Sequence, residues 1–306
     1  MSTPEFEPGG ILLINKHQGA TSHDIVGKVR RALHTRRVGH TGTLDPMATG
    51  VLVVLVGRAA KACEYVSHDR KVYRATLRLG LTTDTQDVTG EVLTKSDTLP
   101  SYEQVAQVCS RFVGKIKQIP PMYSALKVDG QKLCDLARKG IEVERAAREI
   151  EIFSLDCQPT ESPSDYTLTV DCSGGTYIRT LCADIGDALG CGGVMATLER
   201  VQTGGFSLDE CITTAELEAM DDDQRVARLL PVEVLFSEHP AVSLPDFYKR
   251  LCRNGCEIYQ SKIHTDYPVG TRVRLCDASG HFFALGEVRE YESGTAIAMI
   301  KLFELD

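Results

Sequence analysis

The sequence predicts an α+β (mixed α/β) fold with a small β-rich module at its C-terminal end. Three observations carry this. Short apolar strand-like runs alternate with amphipathic helical stretches through most of the chain. Gly57 bounds the Val51–Val56 run, the longest strongly apolar one, as suits a strand buried on both faces. After a Pro240–Pro245 linker, helical pattern thins out and short strands dominate.

In chain order, Gly10–Ile14 reads as a first buried strand, followed by a turn over Asn15–Gly19. Thr21 or Ser22 can cap a helix reaching about Leu33, with Ile25, Val29 and Leu33 on one face and Lys28, Arg30 and Arg31 on the other. Ala59 to Val66 reads as a short helix with Lys61 exposed, and Tyr73–Leu79 alternates as a half-exposed strand does. Asp84–Asp87 is expected to be a polar turn, Glu91–Leu93 a short strand and Tyr102–Phe112 a helix. Pro120–Tyr123 is extended, and Leu133–Arg138 forms a short helix within an excursion rich in basic residues. Strands follow at Ile150–Leu155 and Tyr166–Cys172, then a helix from Tyr177 to about Leu189. Thr197–Arg200 leads to a short strand near Phe206. Beyond the linker come a helix at Asp246–Cys252 and strands at Thr271–Leu275, Phe282–Glu287 and Ala296–Leu302.

Composition bounds the function classes. At 306 residues, 42% hydrophobic and 25% charged, the chain has ample material for a core. No apolar run approaches the roughly 18–20 residues that span a bilayer, so no membrane role is expected. Glu5 and Glu7 near the start argue against a signal peptide, which makes the expected location cytoplasmic. The eleven cysteines are scattered without metal-ligand spacing, so reduced, mostly buried thiols and no metal are expected. The net charge of −8 hides a strong local bias. Residues 16–74 hold eleven Lys/Arg against four Asp/Glu, a net of +7, while residues 75–240 carry −12. Local sign governs partner choice more than the total does.

The basic stretch surrounds one loop, Gly39-His40-Thr41-Gly42-Thr43-Leu44-Asp45-Pro46-Met47-Ala48-Thr49-Gly50. It holds four turn-forming residues, one carboxylate (Asp45) and one imidazole (His40), directly before the buried run. A short loop against a rigid strand is a good mount for a reactive group. Asp before Pro is also a common turn cap, and spacing alone leaves both roles open.

This loop occurs with Gly10–Lys16, Tyr73-Arg74, Pro120–Lys127 and Gly174-Gly-Thr-Tyr-Ile-Arg-Thr-Leu181, in an order that closely resembles the bacterial TruB-type tRNA pseudouridine synthases, which isomerise uridine 55 of the T loop. The match covers roughly residues 9–236 well and the rest more loosely. The resemblance implies a pseudouridine synthase catalytic domain (residues 1–238) built on a long, mainly antiparallel sheet flanked by helices. A thumb-like insertion at about 123–148 and a PUA-like RNA-binding domain (residues 239–306) complete it. Asp45 is then the catalytic carboxylate and Arg179 its partner. Tyr73 stacks near the extruded uracil and is a candidate for handling the proton. Leu198 lines the uracil pocket, and His40 belongs to the loop that meets and displaces the target base-pair region of the T loop. Lys16, Gly42 and Thr43 belong to the substrate-binding set. The implied partner is the tRNA T stem-loop, with no cofactor, no guide RNA and a monomeric enzyme.

The chemistry agrees with those residue types. An ionised Asp in a closed pocket needs a cationic partner, or desolvation raises its pKa. Arg serves better than Lys because it does not deprotonate. The chain departs from the family pattern in three places. His17 follows Lys16 where Pro is common. Glu199-Arg200 replaces Arg-Arg, which removes one possible phosphate contact, and Gly174 stands where Lys is often found. Three rival readings remain: a guide-RNA-dependent relative, an RNA-binding or RNA-folding protein without essential chemistry, and a carboxylate hydrolase. The basic excursion favours a stand-alone enzyme, the Asp45, Tyr73 and Arg179 set favours activity, and the lack of a paired carboxylate spacing disfavours the hydrolase.

Overall fold

The computed structural model describes residues 9–66, 70–124, 126–128 and 130–304, so the segment holding Glu5 and Glu7 lies outside the described residues. β1 (Gly10–Lys16) leads into α1 (Ser22–Ala32), β2 (Val38–His40) and β3 (Thr49–Val56). A 3-10 segment over Gly57–Tyr65 precedes β4 (Lys71–Leu79), and β5 (Leu81–Thr83) pairs with β6 (Val92–Lys95) as a hairpin. α2 (Tyr102–Ser110) and β7 (Gly114–Gln118) come before the excursion, which holds β8 (Lys127–Val128), β9 (Gln131–Lys132) and α3 (Leu133–Ala137). β10 (Arg148–Pro159), β11 (Asp165–Cys172), α4 (Ile178–Leu189) and β12 (Gly193–Thr203) follow. β13 (Phe206–Ser207), β14 (Ile212–Thr213), α5 (Thr214–Ala219) and α6 (Asp222–Ala227) close this part. Ten of its fourteen strands form one mainly antiparallel sheet in the order β14-β1-β3-β12-β4-β11-β10-β7, with β2 paired to β3 and β13 to β12, while β8 pairs only with β9.

The two halves of this sheet are covered differently because their strands are patterned differently. β1 and β3 are apolar at almost every position and are buried on both faces. One face packs on Ile25, Val26 and Val29 of α1, which the Thr21–Asp24 capping box starts as expected. The other packs on Ala59, Ala62 and Phe236. β4 alternates instead. Tyr73, Ala75, Leu77 and Leu79 join a core with α2 and α4, while Arg74 and Arg78 reach solvent and pair with Glu199 and Asp165 at 3.2 and 2.7 Å.

A second, five-stranded sheet holds β15 (Ala241–Ser243), β16 (Ile258–Tyr259), β17 (Arg272–Cys276), β18 (Phe282–Tyr291) and β19 (Gly294–Leu302), with α7 (Asp246–Arg253) and α8 (Gln260–Ile263). It is not a detached module. Leu285 and Phe303 share a core with Ile11, Leu13, Val53 and Leu55, and Phe303 lies 5.5 Å from Phe236 between ring centroids. The buried second face of β1 and β3 requires such a cover.

Three local expectations change. The Pro240–Pro245 linker contains β15, which pairs in parallel with β17. The stretch around Arg200 is not a lead-in but the eleven-residue strand β12, central to the sheet. The Asp84–Asp87 turn is polar yet buries Asp87. No helix among the described residues is long and apolar enough to cross a membrane. Ten cysteines are described; all are free thiols, and most are buried.

Candidate active site

The Asp45 loop leaves β2 at His40 and returns into β3 at Thr49, and four independent elements hold it. From β1, Lys16 is wholly buried and its Nζ donates to the carbonyls of His17 (3.1 Å), Pro46 (3.3 Å) and Ala48. From the turn before α1, the Gly19 amide donates to the Pro46 carbonyl at 2.8 Å. From α1, the buried Ser22 hydroxyl accepts from the Leu44 amide at 2.9 Å and donates to the Leu44 carbonyl at 3.1 Å. From β12, Arg200 donates through Nη2 to the Gly42 carbonyl at 3.1 Å and through Nε to Val51 at 2.8 Å. Gly50 permits this last approach. Its φ is +102°, and a Cβ there would overlap the Arg200 backbone.

Arg179 comes from the first turn of α4. That turn is held by Gln118, whose amide clamps both the Tyr177 N–H (2.8 Å) and the Tyr177 carbonyl (3.0 Å). α4 then sits flush on the sheet because Gly186 has no Cβ to meet Gly192 and Gly193. The Arg179 guanidinium is 6% exposed and reaches Asp45 Oδ2 through Nε at 3.0 Å. Its Nη1 faces Asp87 Oδ2 at 3.7 Å and its Nη2 donates to the Tyr123 carbonyl at 2.8 Å. Asp87 in turn accepts at Oδ1 from the hydroxyls of Thr85 and Thr89 and from the Thr89 amide. One cation therefore serves two carboxylates.

The electrostatics follow from that sharing. Burial raises the Asp45 carboxyl above its ordinary value, Arg179 and Lys16 oppose the rise, and Asp87 adds to it. Asp45 thus has the cationic partner that a buried carboxylate needs, yet the net direction stays upward. Burial lowers Lys16 to about 8, against the attraction of Asp45. Burial also lifts the Tyr73 phenol, with Arg200 pulling the other way, so Tyr73 is a neutral hydroxyl near pH 7. Burial lowers His40 too, and its Nδ1 is enclosed without a hydrogen-bond partner.

Tyr73 on β4 and Arg200 on β12 are cross-strand partners, and Leu198 is two residues along β12 in the core that also holds Leu44, Ala48 and Tyr73. Asp45 thus pairs with Arg179, Tyr73 and Leu198 share a core with Leu44 and Ala48 of the loop, and Gly42 meets Arg200, with Thr43 between Gly42 and Leu44 along the chain. Lys16 lies beneath the loop, where its ammonium is committed to three backbone carbonyls. Among the described residues no three His, Cys, Asp or Glu converge as a metal site.

The family model for the N-terminal domain of TruB pseudouridylate synthases matches residues 30–178, and the tRNA pseudouridylate synthase B C-terminal domain model matches residues 179–237. A tRNA pseudouridine synthase B from Clostridium kluyveri is 41% identical over 96% of this chain and 99% of its own length. The chain belongs to the TruB family of pseudouridylate synthases. A second relative of the same name, from Syntrophotalea carbinolica, is 46% identical over 79% of each chain. A solved Cbf5-Nop10-Gar1 complex contains a chain with the same fold, at a TM-score of 0.74 and 23% identity over 99% of this chain and 91% of that one.

In this TruB family chain, reading from the sequence missed Asp87, Arg200, Ser22 and Gln118. Arg200 was legible only as the retained member of an Arg-Arg pair whose first residue is here Glu199. It lies under the loop, 1% exposed, while Glu199 pairs with Arg74 on the open face. The alternation of Leu198, Glu199 and Arg200 across a strand was the signal available. Nothing in the spacing marks Asp87 or Gln118, which meet the site only through the fold. In the thumb-like segment, Leu133 and Leu136 are buried and Arg145 donates to the Pro120 carbonyl at 3.3 Å. The side chains of Lys127 and Lys132 lie outside the described ones, as do residues 125 and 129.

Proposed function

We propose that this chain isomerises uridine 55 in the T loop of tRNA to pseudouridine, acting alone as a cytoplasmic monomer without guide RNA. The observation that carries the reading is the Asp45–Arg179 pair, 3.0 Å apart, on a loop held by β1, α1 and β12 in a chain of this family. The reaction breaks the N1–C1′ bond, turns the base and joins C5 to C1′. The C5 proton is lost and N1 gains one, so atoms balance with no redox change. Asp45, ionised, is the group that acts on the reacting nucleoside, and Arg179 keeps it charged and aimed. Tyr73 and Leu198 grip the uracil once it leaves its stack. As a neutral phenol, Tyr73 can donate a hydrogen bond or relay the proton from C5. His40, at the start of the loop, belongs with Gly42 and Thr43 to the segment that meets the T loop around the target uridine. Lys16 supports substrate binding by shaping the loop from below. Residues 123–148 close over the RNA arm, and residues 239–306 form the second RNA-binding unit.

The test is tritium release from a tRNA transcript labelled at uridine C5, comparing the unaltered chain with Asp45→Asn. Release is expected from the unaltered chain alone, with a loss of about a thousandfold or more in the variant while tRNA binding is kept. A transcript with cytidine at position 55 should give none. Tight binding without release by the unaltered chain would overturn the reading.

A further inference from the structure

The excursion over residues 123–148 leaves the large sheet and returns to it at one rung, because β7 ends at Gln118 and β10 begins at Arg148, its register partner. Gln118 is 2% exposed, and its side chain turns to Tyr177, the residue from which α4 starts. Its Nε2 donates to the Tyr177 carbonyl at 3.0 Å and its Oε1 accepts from the Tyr177 N–H at 2.8 Å. A carboxamide carries one acceptor and one donor group side by side, which is what the N–H and C=O of a single residue require. Tyr177 gives α4 no side-chain cap, and its own N–H lies ahead of the helical ladder. The Gln118 amide supplies what the helix start lacks.

Arg179 closes a circuit with the same strand exit. Two residues after Tyr177, its Nη2 donates to the Tyr123 carbonyl at 2.8 Å, five residues past Gln118. Pro120 and Pro121 lie between. Each ring fixes its φ near about −65°, so this span is a stiff spacer. The same guanidinium meets Asp45 Oδ2 through Nε at 3.0 Å. We infer that Gln118 is a positioning residue for the Asp45–Arg179 pair, setting the first turn of α4 so that Nε points at the carboxylate, an inference that rests on the isomerisation reading above. A displacement at the root of the excursion then reaches Arg179 from both ends of the circuit.

The Asp45 carboxyl faces Arg179 from α4, Asp87 from the turn between β5 and β6, Lys16 from β1 and the phenols of Tyr73 and Tyr177. Of the charged groups among these, only Arg179 stands on the turn that Gln118 clamps. Arg179 opposes the burial that raises Asp45, so an Arg179 that drifts lets the carboxyl rise further.

Gln118→Leu keeps the bulk of the side chain and removes both donor and acceptor. In the full chain without RNA, the Nε–H resonance of Arg179, assigned by its loss in Arg179→Lys, reports the Asp45 contact by NMR. It should shift or broaden in Gln118→Leu. On tRNA, kcat should fall about 10- to 100-fold, the scale expected for a slight misplacement of a reacting group, while KM stays close to that of the unaltered chain. The acid limb of the pH–rate profile should move to higher pH. Gln118→Glu, of the same shape, keeps an acceptor for the Tyr177 N–H and loses the donor, and it carries the same readouts where Gln118→Leu does not fold. A lower melting temperature with the Arg179 resonance in place would overturn the inference, leaving Gln118 a stabilising residue only. A reduced kcat with an unmoved acid limb would overturn it as well. The resonance is read without any reaction, so a chain that fails to isomerise tRNA still decides the role of Gln118, and the two failures are told apart.

Discussion

Arg179 faces Asp45 and Asp87 with one guanidinium, and that arrangement bears on the pH at which Asp45 is ionised. In the proposed reaction Asp45 acts ionised, so the rate is expected to fall as pH drops through its pKa, which burial has raised. Asp87 contributes to the rise. The Asp87→Asn variant removes the neighbouring charge and leaves Arg179 to Asp45 alone, and both effects favour the carboxylate. The acid limb of the pH–rate profile should therefore move to lower pH, even where the maximal rate is reduced by a displaced Arg179. A limb that stays in place or moves up would show that Asp87 does not influence Asp45. Lys16 offers no equivalent handle, because its ammonium is occupied by backbone carbonyls and its removal disturbs the whole loop.

The loop and the strand that follows it behave as one element. Its ends are fixed by the β1–β3 register, in which Lys16 opposes Gly50, and by the parallel contact of Gly50 with Arg200. Gly50→Ala adds a Cβ at a left-handed φ and directly against β12 backbone. The expected cost is about 2–4 kcal/mol, left-handed strain added to overpacking. A urea melt at unchanged m-value measures it, and a change within error would mean that β12 can yield there. The same packing explains why β3 has no polar residue to spare. A strand that anchors the Asp45 loop at one end is most rigid when both faces are dry.

The molecule as a whole is joined by the core between the two sheets. Phe236, Phe282 and Phe303 lie within 5.5–5.9 Å of one another, and the Arg274–Glu233 pair at 2.6 Å bridges the same seam. Phe303→Ala is expected to cost about 3–5 kcal/mol, the usual range for truncating a core aromatic. Because the seam also covers β1 and β3, the loss should lower the stability of the catalytic half and not only release residues 239–306. Limited proteolysis near position 239, followed alongside the urea transition, separates the outcomes. Release of a C-terminal fragment with an unchanged catalytic transition would show that the two units are energetically independent.

The chain order of strands and helices, the two-sided burial of β3, the capped α1 and the loop carrying Asp45 are all local patterns, and local patterns can be read along the sequence. The family motifs also paired Asp45 with Arg179 across a wide separation. The position of β12 at the centre of the sheet could not be read this way, because its alternation is short and broken by Gly192, Gly193 and a bulge near Met195. Nor could Asp87, Gln118 and Arg200, each an ordinary polar residue in sequence, whose roles come from partners 59 to 158 positions away. β15 hid in a proline-bounded segment because an edge strand of three residues carries almost no periodic signal. The surface charge is the clearest case. The net positive charge of residues 16–74 was visible in the chain, but only the pairing of β2 with β3 gathers Arg36, Arg37, Arg58 and Lys61 around one cavity, since charge is additive along a sequence while the field at a surface depends on distance in space.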